Sequence, residues 1–196
     1  MGGELSLKIA ERDCEVSGID MSEGGIEHAK RLAEREGLTC AFRVGSAEDL
    51  PYPDGYFDKI VCSSSLEHFR DDIKALNEMH RVLKPDGSVV LTTDSFTYPI
   101  SDELKDVHRK IAHVVNYYTR ETLKERFEAA GFETRRSEYL LNSWLTSLFF
   151  NFGIKIRWSG KLWMVVSFIA YPLCLISDGL FGVKDGGYTL IVEGGC

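Results

Sequence analysis

The sequence lacks the cysteine and histidine patterns of a disulfide framework or a metal site. Its five cysteines include no C-x-x-C pair and no spacing typical of metal ligands. No two histidines share a carboxylate at such a spacing, so we predict no metal. Buried, reduced thiols fit this pattern, and they are typical of a reducing compartment. We therefore expect a cytoplasmic protein.

The chain also lacks an apolar start, internal repeats and an excess of basic residues. Its first residues, MGGELSLKIAERD, carry charges where a signal peptide would need an apolar stretch. The 23 basic residues are outnumbered by 30 acidic ones, which gives a net charge of -7. Because binding to nucleic acid needs a concentrated basic surface, we exclude nucleic acid as the main partner.

What is present is the composition of an ordinary globular protein. The 196 residues are 44% hydrophobic and 27% charged, which suits one domain with a full core, or one domain with a sizeable insertion. The charge is uneven, because residues 144–196 hold only four of the 23 basic and three of the 30 acidic groups. The last part of the chain is therefore nearly neutral and strongly apolar.

Helical and extended patterns alternate over the first 140 residues, which predicts an α/β fold with a parallel sheet and helices on both faces. We predict that Ser22 caps one helix and that Gly37 ends it in the left-handed conformation. The predicted strands cover 14–20, 39–44, 59–63, 88–93, 132–139 and 188–193, and the predicted helices 5–10, 22–37, 71–83, 102–115 and 121–130.

Residues 144–185 do not fit this alternation, and we interpret them as a hydrophobic helical insertion or lid. All but one of residues 162–176 are apolar or aromatic, a run too short to span a membrane, which takes about 20. Upstream, aromatic residues alternate with Lys155 and Arg157, as at a membrane interface or in an apolar lid. The plainer alternative is a helical cover that completes the core. The main domain, into which this segment is inserted, is predicted to consist of residues 1–143 and 186–196.

Asp20 ends a predicted strand and is followed by Met21, Ser22 and a helix. In nucleotide-binding folds this order puts a carboxylate at the carboxyl edge of the sheet, facing the ribose hydroxyls. Gly3 lies seventeen positions upstream, after Gly2 and before a helix, as at the end of a glycine-rich cofactor turn. Two plainer alternatives stay open, because Asp20 can simply cap its helix and any flexible terminus can begin with two glycines.

Several short motifs follow one another in a fixed order. They are GIDMS at 18–22, GSAEDLPYPD at 45–54, FDKIV at 57–61, LEH at 66–68 and RVLKPDG at 81–87. In this order they make the chain resemble the type-11 group of class I methyltransferases, over residues 1 to about 140 and the last strand. The resemblance implies S-adenosyl-L-methionine as the cofactor and a Rossmann-like, mostly parallel sheet with an antiparallel last strand.

The resemblance also implies which residues bind the cofactor. They are Gly2 and Gly3 in the glycine loop, Asp20 at the ribose hydroxyls, Met21 on the adenine, Ser46 and Ala47 at the adenine edge, and Ser63 at the methionine part. Members of the family usually have Asp or Asn at the position of Ser46. The adenine contact here is therefore expected to be weaker or to use mostly the backbone.

Glu67 and His68 follow the predicted strand at 59–63, where an acceptor would approach the methyl group. Transfer of a methyl group from a sulfonium depends on alignment more than on acid or base groups. Either residue can nevertheless remove a proton from a hydroxyl or hold the acceptor. The alternative is a polar loop that caps the next helix. The other four histidines are interpreted as surface or packing residues, namely His28, His80, His108 and His113.

The glycine loop of the resembled family reads G-x-G-x-G after an apolar strand, and residues 2–5 match only its end. We therefore expect the first strand to be missing, with a fragment or a late start codon as the cause. Removing a central strand exposes backbone groups that need new partners, so weak cofactor binding is expected. The nucleotide sequence upstream of Met1 tests this expectation.

The activity expected from these residues is methyl transfer to a small, apolar or lipid-like acceptor, with O, N and C acceptors all open. A peripheral membrane contact through residues 144–181 is compatible with it. Two other classes remain as alternatives. A nicotinamide-dependent oxidoreductase also fits Asp20 and the glycines, although the motifs at 45–54 and 81–87 disfavour it. The second alternative is a non-catalytic, membrane-associated remnant of a methyltransferase, which would explain why the first strand is missing.

Overall fold

A computed structural model describes residues 3–97, 101–155, 172–183 and 185–196. The chain divides into two compact units, Met1–Tyr52 and Pro53–Cys196. The described residues form one sheet of two strands and one of four strands. Gly2, which was predicted to belong to the cofactor loop, and most of the apolar run at 162–176 lie outside the described residues.

The first unit is a small layer of two helices on two parallel strands. Its elements are α1 Glu4–Ala10, β1 Val16–Asp20, α2 Glu23–Glu36 and β2 Cys40–Val44. Ser22 accepts a hydrogen bond from the Gly25 N–H at 3.0 Å, and Gly37 ends α2 with φ 68°, so both predicted caps are confirmed. The buried core of the unit consists of Leu7, Ile26, Ala29, Ala33 and Phe42.

The second unit is built around four strands in the order β3-β4-β6-β5. Its elements are β3 Phe57–Ser63, a 3-10 turn Leu66–His68, α3 Asp72–Val82, β4 Leu83–Asp94, α4 Asp102–Ala112, α5 Arg120–Ala129, β5 Glu133–Leu140, α6 Trp144–Lys155 and β6 Thr189–Gly195. Strand β3 runs parallel to β4, whereas β6 is antiparallel to both β4 and β5. The predicted α/β class and the antiparallel last strand are confirmed.

The start of β4 differs from the prediction. The sequence predicted a helix up to 83 and a strand from 88, but β4 already begins at Leu83. Phe57 pairs with Leu83 and Lys59 with Ser88, so the five residues after Leu83 on β4 match only two on β3. The intervening residues bulge out of the ladder. The helix does end where the proline and glycine require it, and strand pairing accounts for the longer β4.

An ion pair on a buried carboxylate joins two of the helices in this unit. Arg126 on α5 donates to Asp72 at the start of α3 over 2.6 Å, and the Tyr118 hydroxyl donates to the other oxygen of the same carboxylate at 2.5 Å. Asp72 and Tyr118 are both buried. Because burial disfavours the phenolate, the pKa of Tyr118 is raised. These contacts hold the segment before α5 against the start of α3.

Two helical segments of the predicted insertion are described, α6 and residues 172–181. The Ser143 N–H and the Thr146 hydroxyl both donate to Asp178, at 2.9 and 2.8 Å, which joins the two segments. The Tyr188 hydroxyl donates to Ser147 at 3.0 Å and ties α6 to the residue before β6. Among the residues that the structure describes, no helix is long and apolar enough to cross a membrane.

The same two segments expose apolar side chains along their outer faces. We call this set the apolar stripe: Trp144, Leu148 and Phe152 on α6, and Leu173, Ile176 and Leu180 on the second segment. Spacings of three and four residues put each trio on one side of its helix. The division into a core and an insertion at 144–185 itself stays a prediction.

Candidate functional site

The carboxyl end of β1 carries the exposed carboxylate of Asp20. Its Oδ1 accepts a hydrogen bond from the Ser22 N–H at 2.8 Å. This bond fixes the direction of the carboxylate and leaves the group open to solvent. The plainer alternative, a carboxylate that helps to begin α2, is therefore seen in part. The exposed carboxylate can still accept hydrogen bonds from a ligand.

The end of β2 lies next to Asp20. Asp20 pairs with Val44 in the parallel ladder, and the Gly45 N–H donates to the Asp20 carbonyl at 3.1 Å. The half-buried residues Ser46 and Ala47 follow directly. Neighbouring parallel strands thus bring these predicted adenine contacts to the sheet edge that holds Asp20.

The side chains at this edge differ in how accessible they are to a ligand. Met21 is 76% exposed, so its thioether side chain is accessible to a flat ligand. The Ser46 hydroxyl accepts the Glu48 N–H at 3.1 Å and therefore stabilises its own turn. This bond fits the expectation of an adenine contact made mostly through the backbone. The cofactor roles of Met21, Ser46 and Ala47 stay predictions.

Gly3 begins α1 in the left-handed conformation, with φ 92°. A side chain there would place its Cβ 2.7 Å from the Cβ of Ala29 on α2. The Leu7 N–H donates to the Gly3 carbonyl at 3.0 Å and begins the helix. The backbone of this turn therefore packs directly on α2. The role of Gly3 in a cofactor loop stays a prediction.

Ser63 ends β3 in the second unit and is exposed. The Thr92 hydroxyl on β4 donates to the Ser63 hydroxyl at 3.3 Å, and the Ser64 N–H donates to the Thr92 carbonyl at 2.8 Å. Ser64 itself has φ 46°, which turns the chain away from the sheet. The predicted contact for the methionine part of the cofactor thus lies at a carboxyl strand end.

The two predicted catalytic residues lie in different environments. Glu67 is only 1% exposed, and it accepts the Thr93 hydroxyl at 3.0 Å, while burial raises the pKa of its carboxyl. His68 is exposed, with its Nδ1 3.3 Å from the His113 carbonyl. The alternative of a loop that caps the next helix is not seen, since Asp71 caps α3. Only His68 is open to an acceptor.

A group of residues that the sequence analysis did not select lies at the carboxyl end of β4. The Asp94 carboxylate is 3.8 Å from His108 Nε2, and His108 Nδ1 is 2.8 Å from the Tyr117 hydroxyl. Burial, and then the charge of Glu67, raises the pKa of Asp94 to about 7. Burial, and then His68, lowers the pKa of His108 to about 4. Asp94 is the last residue of β4 as Asp20 is of β1, and a carboxylate at a strand end was visible in the sequence.

The comparisons with known proteins agree with this arrangement. Residues 1–91 match the family described as "Methyltransferase domain". The demethylmenaquinone methyltransferase of Thermus thermophilus is 40% identical over 91 residues, which cover 45% of this chain and 41% of that protein. The ubiquinone biosynthesis O-methyltransferase of Pseudomonas aeruginosa is 36% identical over 93 residues, 47% of this chain and 40% of that protein. The matches thus span about two fifths of the length of these two curated relatives.

Solved structures show the same fold over nearly the whole chain. Geranyl diphosphate methyltransferase, in complex with GPP and sinefungin, superposes with a TM-score of 0.70 at 16% identity, covering 97% of this chain and 66% of that one. The 4+2 cyclase SpnF gives 0.69 at 21% identity, covering 97% and 70%. At these identities the likeness establishes a Rossmann-like fold, which hosts more than one chemistry. Taken with the matches in sequence, it shows that residues 1–91 are similar to the methyltransferase-domain family within a chain of Rossmann-like fold.

Proposed function

We propose that the protein transfers a methyl group from S-adenosyl-L-methionine to a small, apolar acceptor. The observation that carries this proposal is the exposed Asp20 carboxylate at the end of β1, with its direction set by the Ser22 N–H. A carboxylate in this position can accept both ribose hydroxyl protons of the cofactor. The neighbouring turn at Gly45 and Ser46 supports the same assignment, because it lies beside Asp20.

Each unit, taken by itself, offers groups of the kind that the cofactor needs. In the first unit, Met21 offers an exposed side chain for the adenine, and Gly3 keeps its turn free of a side chain that would collide with α2. In the second unit, Ser63 offers a hydroxyl at the end of β3 for the methionine part. When bound, S-adenosylmethionine supplies an electrophilic methyl group, so the task of the protein is to bind and orient.

The acceptor is proposed to be an apolar ring compound. Two relatives carry names that refer to quinones, demethylmenaquinone methyltransferase and ubiquinone biosynthesis O-methyltransferase. The apolar stripe on the insertion supports an apolar acceptor in this chain as well, since its six side chains are exposed. Compounds of this class dissolve in membranes, so a peripheral membrane contact through residues 144–181 belongs to the proposal.

Calorimetry with S-adenosylhomocysteine tests the cofactor assignment. The titration is made on the chain from Met1 and on the protein with whatever segment its gene encodes ahead of Met1. We expect saturable binding by at least one version and none of NAD, because the oxidoreductase alternative needs the dinucleotide. Binding of NAD in preference to S-adenosylhomocysteine, or binding of neither by both versions, would contradict the proposal.

Flotation with phosphatidylcholine liposomes tests the membrane contact. The native protein is expected to float with the lipid, and a variant with Leu148→Asn and Phe152→Asn is expected to remain at the bottom. Ile111→Asn is the matched control, because Ile111 is an exposed apolar residue on α4, outside the stripe. If the native protein does not float, the helices only cover the sheet. The same conclusion follows if the control loses as much binding as the stripe variant.

A further inference from the structure

We infer that Asp94 and His108 form a proton-accepting site for an acceptor that carries an O–H group, a role that rests on the proposed methyl transfer. Asp94 would take the proton, and His108 would accept a hydrogen bond from the carboxyl group once it is protonated. The inference narrows the acceptor class, because neither the family nor the cofactor residues distinguish O–H acceptors from others. It also assigns a role to Asp94 at the end of β4 and to its neighbours His108 and Tyr117.

The geometry places the two groups within reach of each other and of solvent. Asp94 Oδ2 lies 3.8 Å from His108 Nε2, which is longer than a hydrogen bond, and such contacts are often long before a ligand binds. The side chain of Asp94 is 23% exposed and that of His108 is 13% exposed. Asp94 is therefore half-enclosed and still reachable by a ligand, unlike the fully enclosed Glu67.

The position of Asp94 in the sheet agrees with this role. Asp94 is the last residue of β4, two residues beyond Thr92, which pairs with Ser63 at the end of β3. Ligands of open α/β sheets bind outside the carboxyl ends of the strands. Asp94 therefore lies at the same edge as the residue that the resemblance places beside the methionine part of the cofactor.

Neighbouring residues hold the His108 ring in one orientation. The ring lies 4.2 Å from that of Phe96, measured between centroids, and its Nδ1 is 2.8 Å from the Tyr117 hydroxyl. When that hydroxyl donates to the Lys105 carbonyl, 3.5 Å away, it can accept the Nδ1–H of His108. This tautomer leaves the Nε2 lone pair directed at Asp94, where it can accept the proton of a protonated carboxyl group.

Phe96 is itself held in an uncommon conformation. Its φ is 51°, a left-handed value that bulky side chains rarely adopt, and its side chain is buried. The N–H groups of Ser95 and Phe96 both donate to the Tyr188 carbonyl, at 2.9 and 3.4 Å. Such local strain persists where the surrounding contacts enforce it, and it is concentrated at functional sites. Here it places the aromatic ring against His108.

Charged groups from several elements act on the pair or on the adjoining Tyr117. The acidic ones are Glu67 after β3, whose charge raises the pKa of Asp94, and Asp106 on α4, and the basic ones are His68, Lys105 and Arg109. Lys105 Nζ and the Arg109 guanidinium lie 4.8 and 5.2 Å from the centre of the Tyr117 ring. With the pKa of Asp94 raised to about 7, the carboxylate is basic enough to accept a hydroxyl proton near neutral pH.

The proposed step balances in atoms and charge. An electron pair of the acceptor oxygen forms a bond to the methyl carbon while the carbon–sulfur bond breaks, and its electron pair stays on sulfur. The O–H proton passes to the Asp94 carboxylate. The positive sulfonium and the negative carboxylate thus become a neutral thioether and a neutral carboxyl group. Asp94 then returns its proton to solvent.

The test compares two acceptors that differ in acidity, catechol and 4-nitrocatechol, in the protein version that binds S-adenosylhomocysteine. Asp94→Asn is expected to lower kcat for catechol by about 100-fold, the usual contribution of a general base. It should lower kcat for the already ionised 4-nitrocatechol by less than about 5-fold on the same reasoning. His108→Gln should move the acid limb of the kcat profile. Glu103→Gln, an exposed carboxylate on α4, is the matched control and should change neither.

Equal losses with both acceptors, or no loss with either, would overturn the inference, because Asp94 would then be structural or irrelevant. A second readout does not depend on turnover. In carbon-13 NMR of the native protein, catechol is expected to shift the carboxyl signal of Asp94 and leave that of Glu103 unchanged. If the protein methylates neither catechol, the proposed acceptor class is wrong. If the Asp94 carboxyl signal also stays unshifted when catechol is added, the proton-accepting site is wrong as well.

Discussion

Asp20 and Asp94 occupy equivalent places, each the last residue of a strand whose neighbour runs parallel to it, yet their surroundings differ. Asp20 is exposed and is oriented by one backbone N–H. Asp94 is mostly enclosed and lies near a second carboxylate and a half-buried imidazole. The end of a strand thus determines where a carboxylate lies, but not how it reacts. Whether its carboxylate accepts hydrogen bonds or protons depends on the residues packed around it.

A third carboxylate extends the comparison and gives the largest expected effect on stability. Asp72 is buried, and the Arg126 guanidinium lies 2.6 Å from its carboxylate. Arg126→Met should lower the free energy of unfolding by about 3 kcal/mol, because it leaves a buried charge without its partner. Lys124→Met on the same helix removes only a surface pair with Glu128 and should cost less than about 0.5 kcal/mol. Urea denaturation measures both, and equal losses would contradict the account.

The pH dependence of stability separates Asp94 from His108. The pKa of His108 falls from 6.5 to about 4 on folding, so the unfolded chain binds more protons between these values and His108 makes stability rise with pH. The pKa of Asp94 rises from 3.8 to about 7, so Asp94 makes stability fall as pH rises through that range. The raised pKa of Glu67 acts in the same direction as that of Asp94.

His108→Gln removes the rising contribution and leaves the falling one. Its free energy of unfolding should therefore decline more steeply between pH 4 and 6.5 than that of the native protein, by on the order of 3 kcal/mol over this range. Denaturation at a series of pH values measures the slope. His28→Gln, at an exposed position on α2, should give a curve parallel to the native one. A His108→Gln curve parallel to the native curve would show that His108 titrates normally.

Much of the candidate site can be predicted from the sequence where local signals agree. Ser22 and Gly37 mark the ends of α2 through capping preferences that involve only a few neighbouring residues, and Asp20 is found by its place between strand and cap. Asp94 has the same local signal. What distinguishes it comes from His108 and Glu67, which approach it only in the folded chain.

The same limit applies to the strands and to the catalytic pair. The early start of β4 depends on pairing with β3, which periodicity along one segment does not contain. The sequence shows Glu67 and His68 as neighbours in a polar motif. The fold encloses Glu67 under the backbone that follows α4, where its carbonyl accepts the N–H groups of Val115 and Asn116. Adjacent residues thus acquire different accessibility through contacts distant in sequence.

The glycine turn of the first unit gives a smaller effect. Gly3→Ala should lower the free energy of unfolding by about 1–3 kcal/mol, because alanine is disfavoured at φ 92° and its Cβ would collide with Ala29. Gly24→Ala is the matched control, since a side chain there meets nothing within 4 Å on a helix. It should stabilise the protein by up to about 1 kcal/mol. Thermal unfolding compares the two variants, and opposite signs are expected.

The measurement that tests the central claim most directly is the affinity of S-adenosylhomocysteine for the Asp20 variants. Each hydrogen bond to a charged acceptor contributes about 1.5–3 kcal/mol, so Asp20→Ala should weaken binding at least about 100-fold. Its unfolding transition should stay within about 1 kcal/mol of the native one, since the side chain is exposed. Glu34→Ala, an exposed carboxylate on α2, should bind as the native protein does. Calorimetry that finds native affinity in Asp20→Ala would contradict the assignment of this strand end to the cofactor.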